Sequence, residues 1–439
     1  MSRRTEVMRN FEEHRKFMEK SIQAGIEKNR KGYACLHVVD TAGRPAQDVR
    51  VKITQKNHAF KYGANLFMLD EFESTEKNEK YKEFFKDAFN MATLPFYWND
   101  LEPEKGKTRY EKNAPKIYRR PNPDLCLEYC EKYGIEPREH ALAYEHFFPD
   151  WLKDQNVFTV KRELMRRYAE IARRYADRIR TIEVTNEMFW KTGVTAFYED
   201  DKYVEWCFKL AEKEFPANQL VINEWSNVWR ENGRNRDPYY MQIERAIRNG
   251  ARIDAIGLQF HMFHRKEEEA KSTIREYDPR HLYKILDRYA DFGLPIQLTE
   301  VTIPAYTAGE EDEKLQAEII ETLYSIWFSH PNVEQIIYWN VVDGYAAFAP
   351  QGDMTAGENY YRGGLIRFDM TPKPAYYTVK DLFQKKWHTE KQTVSDEGGN
   401  VHFHGFYGAY EIQVEADGKS VTHQIDLCKA GSNEFTIEI

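Results

Sequence analysis

Long apolar runs, blocks of positive charge and an even set of cysteines are all missing from this 439-residue chain, and each absence removes a class of protein. No stretch approaches the roughly 18 apolar residues of a membrane-spanning helix, so no membrane partner is expected. Net charge is −8 and Lys and Arg never gather into a block. The basic footprint of a nucleic-acid-binding protein is therefore absent, and Tyr118-Arg119-Arg120 is too isolated to supply one. From Met1 to Lys31 the chain is polar and charged, without the apolar core of a secretory signal. Cys35, Cys126, Cys130, Cys207 and Cys428 are odd in number and lack metal-ligand spacing. Free thiols in a reducing cytoplasm are the expectation, hence a cytoplasmic protein.

Other absences concern chemistry. Lys61-Tyr62-Gly63-Ala64-Asn65, after the first strand pattern of the main domain, is not a glycine-rich phosphate loop. That strand carries no His-x-His for a metal-dependent hydrolase, and no strand ends on a lysine placed for a Schiff base. Neither a metal nor a cofactor is expected. Oligomeric state is not constrained by the sequence.

Aromatic residues, by contrast, are abundant: 28 Tyr, 26 Phe and 9 Trp. Most belong in a core, but sugar-binding clefts use such rings because the C–H face of a pyranose stacks on them. With 41% hydrophobic residues, the length suits one large barrel plus small additions.

Two strand patterns organise the rest. Thr181-Ile182-Glu183-Val184-Thr185-Asn186-Glu187 is a short β-branched strand ending on an amide and a carboxylate, followed by Met188-Phe189-Trp190. Ile296-Gln297-Leu298-Thr299-Glu300 repeats the design. Around them a strand-then-helix rhythm recurs eight times. Its strands are expected at 60–67, 91–97, 136–144, 179–186, 220–223, 255–260, 295–299 and 335–340. Eight such units predict a closed parallel (β/α)8 TIM barrel over residues 58–387, with an open doubly wound sheet as the alternative. Residues 1–57 read as a helical segment followed by a β-hairpin, 34–40 with 49–54. Residues 388–439 alternate at period two and predict a C-terminal β appendage of roughly fifty residues.

Functional side chains of a parallel barrel stand at the C-terminal strand ends. Here these are carboxylates, amides, histidines and tryptophans: Trp98, His140, Glu145, Asn186, Glu187, Trp225, Gln259, His261, Glu300 and Trp339 among them. Two strand-end carboxylates suggest glycoside hydrolysis, one protonated toward the leaving oxygen and the other ionised toward the anomeric carbon. Asn186 is a neutral donor suited to a sugar hydroxyl.

These motifs, in order, resemble glycoside hydrolase family 10, the retaining endo-β-1,4-xylanase family. Val184-Thr185-Asn186-Glu187 matches the family's acid/base strand ending, and Leu298-Thr299-Glu300-Val301 the nucleophile strand. Gly257-Leu258-Gln259-Phe260-His261 resembles the segment whose histidine holds the nucleophile. His140-Ala141-Leu142 with Pro149-x-Trp151, Phe89-Asn90 through Trp98, Glu102-Pro103-x-x-Gly106 and Tyr338-Trp339-x-Val341-x-Asp343 complete the likeness, which runs from about residue 58 to 385. It implies Glu187 as acid/base, Glu300 as nucleophile, and Asn186, His140, Gln259, His261, Trp98, Tyr144, Glu145, Trp225 and Trp339 as substrate-binding residues.

Departures fall in the sugar-gripping shell. The family's Glu-Asn pair and Lys before the tryptophan are replaced by the shortened Leu94-Pro95-Phe96-Tyr97, and its Trp-His by Tyr144-Glu145. Thr302 stands where an aspartate is expected, and Ala346-Ala347-Phe348 where a second tryptophan is. Glu145 has two readings, a third active-site carboxylate or an ion pair with Arg138 or a loop. His402 and His404 share a strand face, as a metal pair or as ordinary surface residues. Three functions follow: a xylanase-type β-glycosidase acting on short oligosaccharides or glycosides, the same mechanism on a plant or aryl β-glycoside, and a non-catalytic carbohydrate-binding barrel.

Overall fold

A computed structural model describes residues 2–189, 194–234, 236–416 and 418–439; the expected turn residue Trp190 lies outside them. Fifteen strands follow in chain order among the described residues: β1 (Lys31–Val39), β2 (Arg50–His58), β3 (Lys61–Asn65), β4 (Met91–Pro95), β5 (Glu136–His140), β6 (Thr181–Asn186), β7 (Gln219–Glu224), β8 (Ala255–His261), β9 (Ile296–Thr302), β10 (Val333–Tyr338), β11 (Glu390–Val394), β12 (Asn400–Phe406), β13 (Gly408–Ala416), β14 (Lys419–Leu427) and β15 (Glu434–Glu438).

Strands β3 to β10 close into a parallel barrel, β10 pairing with β3. Their near-continuous burial explains why they read as short apolar runs rather than as alternating strands. The intervening helices begin where their sequences say they should. Pro123, Pro238, Pro279 and Pro374 occupy first-turn positions, where a missing N–H costs nothing. Asn156 accepts from the Thr159 N–H and Asp278 from the Arg280 N–H, capping orphan donors. β5 stops at His140, short of the expected Tyr144, because the chain then leaves the ladder with only an isolated bridge from Ala143 to Thr185.

The expected N-terminal hairpin is corrected by the structure. β1 pairs with β12 and β15, whereas β2 lies between β11 and β13, so the two strands enter different sheets. Period-two alternation identifies the buried face of a strand but not its neighbour. Both sheets bury their alternating residues, Leu36, Val38 and Phe403 against Val51, Ile53, Ile412 and Val414. The two chain ends thus make one β-sandwich, with each fully buried aliphatic side chain contributing about 1.5–3 kcal/mol.

Sandwich and barrel meet through rings. His58, at the end of β2, lies edge-on to Phe328, Phe383 and Phe406, and Trp387 stacks on Phe328 at 4.2 Å. The N-terminal helix Arg15–Arg30 lies against the helix Glu310–Ser329. Contact is close at Gly25, where a Cβ would stand 2.5 Å from the Ser329 carbonyl oxygen. Arg3 adds ion pairs to Glu269 and Asp312. Cys126, Cys130 and Cys207 are buried packing residues. Among the described residues, no helix is long and apolar enough to cross a membrane.

Candidate active site

The sheet is irregular where the carboxylates emerge. Register shifts interrupt β6 against β7 after Glu183 and β8 against β9 after Leu258. Bulges of this kind re-aim side chains at barrel rims. Glu187 follows β6 with φ of 51°, a left-handed conformation that is costly for a residue with a Cβ and recurs at functional sites.

Glu187 and Glu300 both line one cavity of about 650 Å³ at the C-terminal end of the barrel. One amide bridges them, and a second ties Glu300 to Asn186 and Glu183. Gln259 Nε2 donates to Glu187 Oε1 at 3.0 Å and to Glu300 Oε1 at 2.9 Å. One nitrogen shared in this way caps the separation of those oxygens at about 5.9 Å. Asn223 Nδ2 reaches Glu300 Oε1 at 3.1 Å, Asn186 Oδ1 at 2.9 Å and Glu183 Oε1 at 3.3 Å. Gly257 makes this possible, since a Cβ there would stand 2.4 Å from Asn223 Oδ1.

The remaining first contacts differ between the two carboxylates. Tyr144 donates its hydroxyl to Glu187 Oε2 at 2.5 Å. His261 Nε2 lies 3.1 Å from Glu300 Oε2, and its Nδ1 lies 2.9 Å from Thr302 Oγ1. Burial lowers the His261 imidazole to about 4, so the ring is neutral, and the Thr302 hydroxyl can donate to Nδ1 while Nε2–H faces Glu300. Burial raises the Glu300 carboxyl; His140 opposes this and the charge of Glu187 adds to it. The three N–H groups converging on Glu300 act the other way, favouring its anion.

Below the cavity floor runs a fully buried network. Arg138 Nη2 bonds Glu183 Oε2 at 2.7 Å, and His140 Nδ1 bonds Glu183 Oε1 at 2.8 Å. Burial works against the charged His140 ring, but the adjacent Glu183 more than offsets it and raises the imidazole. His140, Glu183 and Glu300 offer ligand atoms within 4.8 Å of one another. Those of His140 and Glu183 are already committed to each other and to Arg138, an arrangement of hydrogen bonds rather than an open ligand set.

Other expected site residues divide into two groups. Trp225 and Trp339 line the cavity. Asn186 accepts from Asn223 and Gln259 through Oδ1, leaving Nδ2 buried without a partner, a donor available to a ligand hydroxyl. His140 sits one layer down, 3.0 Å from the Tyr97 hydroxyl. Trp98 is turned away: its Nε1 donates to Glu102 at 2.9 Å and its ring packs on Phe148 and Trp151. The shortened segment explains this, because a helix begins at Trp98 itself and Tyr97 takes the place on the wall. Phe96 points into the core, edge-on to Tyr175. Glu145 is neither a cavity carboxylate nor a partner of Arg138. It accepts from the backbone N–H groups of Val194 and Thr195 and anchors the loop after β6.

The sequence profile of glycosyl hydrolase family 10 matches residues 55–382, three quarters of the chain. The chain belongs to glycosyl hydrolase family 10. It is 25% identical over 406 residues to the anti-sigma-I factor RsgI6 of Acetivibrio thermocellus, covering 90% of this chain and 46% of that protein. Against endo-1,4-beta-xylanase 2 of Arabidopsis thaliana the identity is 23% over 402 residues, 90% of this chain and 33% of the relative. The chain thus spans less than half of these two relatives, and both likenesses extend beyond the barrel. Xylanase 10B from Thermotoga petrophila, solved with xylobiose, shares the fold at a TM-score of 0.59 and 22% identity, over 75% of this chain and 95% of that one.

The rest of the cavity wall is lined by further residues. Phe67, the last residue of the first expected barrel strand, lines it; Tyr118, Arg119, Arg120, Phe147, Phe263 and Glu358 also line it, and no strand-end rule points to them. Tyr118-Arg119-Arg120 was visible as a ring beside two guanidiniums, but it lies in the loop between β4 and the helix Pro123–Tyr133. Arg120 stacks on Tyr97 at 4.2 Å, and Tyr97 on Phe147 at 4.3 Å.

Proposed function

We propose that the protein is a retaining β-glycoside hydrolase of the xylanase type, with Glu300 as nucleophile and Glu187 as acid/base. The observation that carries the reading is the single Gln259 nitrogen bonded to both carboxylates. Retaining pairs stand about 5–5.5 Å apart, and inverting pairs roughly 6.5–9.5 Å apart to admit a water. A bridge limiting the facing oxygens to about 5.9 Å fits the closer spacing.

Three N–H donors on Glu300 favour its ionised form against the burial that raises it, which suits a nucleophile. Glu187, opposite it, is assigned the acid role. The Glu300 carboxylate attacks the anomeric carbon as Glu187 protonates the leaving oxygen, forming a glycosyl ester. Glu187, now ionised, removes a proton from water, and the resulting hydroxide displaces Glu300 with a second inversion. The Asn186 Nδ2 donor supports the sugar hydroxyl next to the reacting carbon, and Gln259 and His261 hold both carboxylates in place.

Substrates are short. Tyr97 with Arg120 over it closes the side on which the family's polar grip is missing. Without those donors and acceptors, a second sugar loses both affinity and selectivity. The expected result is a higher kcat/KM on short aryl β-glycosides or small oligosaccharides than on long xylo-oligosaccharides, lost by at least about 10⁴-fold in Glu300→Gln. Internal cleavage of long xylan as the preferred reaction would contradict the substrate reading. Turnover surviving in Glu300→Gln would contradict the mechanism.

A further inference from the structure

The cavity wall carries a guanidinium that the glycosidase mechanism does not use. Arg119 is 5% exposed, and its two described partners are neutral oxygens, the Tyr345 carbonyl and Asn340 Oδ1 at 3.3 Å. Its Nε is buried without a partner. A buried guanidinium of this kind costs free energy unless an anion meets it.

The position is built rather than incidental. Arg119 has φ of 62°, a conformation that surrounding structure must enforce. The enforcement is visible in Arg109, whose guanidinium donates to the carbonyls of Asp100, Pro115 and Arg120 and so fixes the loop that carries Arg119. Arg120 adds a second positive charge, paired with Asp100 at 2.7 Å. Glu358 shares the cavity, but its Oε2 is taken by Asn340 Nδ2 at 2.8 Å, which sets the amide between it and Arg119. Ala346 and Ala347, which follow the Tyr345 carbonyl that Arg119 holds, line the same cavity with small side chains.

We propose that this wall receives a carboxylate: the substrate is a uronosyl β-glycoside, with Arg119 binding the sugar acid and Arg120 flanking it. Glu358 suits the hydroxyl edge of the same sugar, as a carboxylate accepts from hydroxyls where a guanidinium cannot. Paired recognition of a carboxylate by a planar fork is geometrically specific, so lysine is not equivalent. The inference rests on the cavity being the glycosidase site proposed above.

The test compares 4-nitrophenyl β-D-glucuronide with 4-nitrophenyl β-D-glucoside, which differ only in carboxylate against hydroxymethyl. A uronosyl disaccharide and its neutral counterpart form a second pair that places the acid one sugar further out. One acidic member should be preferred at least tenfold in kcat/KM, and Arg119→Gln should collapse that ratio at least tenfold, with Arg119→Lys in between. Calorimetric binding of the same pairs to Glu300→Gln supplies a readout that needs no turnover. Equal binding and turnover within each pair, or equal loss on acidic and neutral substrates in Arg119→Gln, overturns the carboxylate site. Tight acidic binding without hydrolysis of any β-glycoside by the wild type supports the carboxylate site and defeats the glycosidase reading instead.

Discussion

The barrel mouth and the terminal sandwich are both made of short strands, yet they bury opposite kinds of side chain. The sandwich interior is Leu36, Val38, Val51, Ile53, Phe403 and Ile412, with alternating partners from both chain ends. The barrel mouth and the network beneath it bury Arg138, Glu139, His140, Glu183, Asn186, Asn223, Gln259 and Glu300. Apolar burial stabilises directly, whereas buried polar groups at best break even and become costly when a partner is removed. The sandwich therefore contributes stability, and the mouth trades stability for pre-aimed donors and acceptors.

That contrast can be broken by substitution. In Arg138→Met, Glu183 keeps only His140 and Asn223 around a buried charge, so stability should fall by about 3–5 kcal/mol in denaturant unfolding. A change below about 1 kcal/mol would show that the network is not under electrostatic tension. Ile53→Ala should cost about 2–5 kcal/mol by leaving a cavity in the sandwich, while kcat per folded molecule stays unchanged. Loss of kcat at full folding would mean that the sandwich acts on the site.

The junction between the two regions should respond to pH. Burial lowers the His58 imidazole to about 4, and its Nε2 faces the Phe383 carbonyl. As pH falls below about 6.5 the unfolded chain binds a proton that the folded chain refuses, so stability declines until about pH 4 and then levels. Relative to His58→Gln, the wild type should lose about 3 kcal/mol across that window. A constant gap between the two proteins from pH 6.5 to 4 would mean that this ring is not the group responsible. The smallest effect is expected at Thr302→Val. Without the hydroxyl the His261 tautomer is no longer fixed and its buried Nδ1 loses a partner, so kcat should drop about tenfold and stability by about 1–3 kcal/mol. An unaltered kcat would remove Thr302 from the positioning chain.

The same contrast governs what could be read in advance. Buried strands with polar endings stand out as short apolar runs, so the barrel order and the positions of Glu187 and Glu300 were legible. Alternation also marked the four strands from β12 to β15. What it could not give was pairing, and β1 and β2, expected as a hairpin, enter separate sheets. Trp98 lay at a strand end in the sequence, but spacing says nothing of direction, and Tyr97 occupies the wall instead. Glu145 has the composition of a site residue and the job of a loop anchor. Arg119 and Arg120 come from a loop without periodicity, and only the fold brings them to the cavity.

The claim that Glu187 and Glu300 form a retaining pair is tested most directly by proton NMR of the first-formed product from the best β-glycoside substrate. Net retention predicts the β-anomer at once, with the α-anomer growing only by mutarotation. An α-anomer formed first would place a water between the carboxylates and contradict the account.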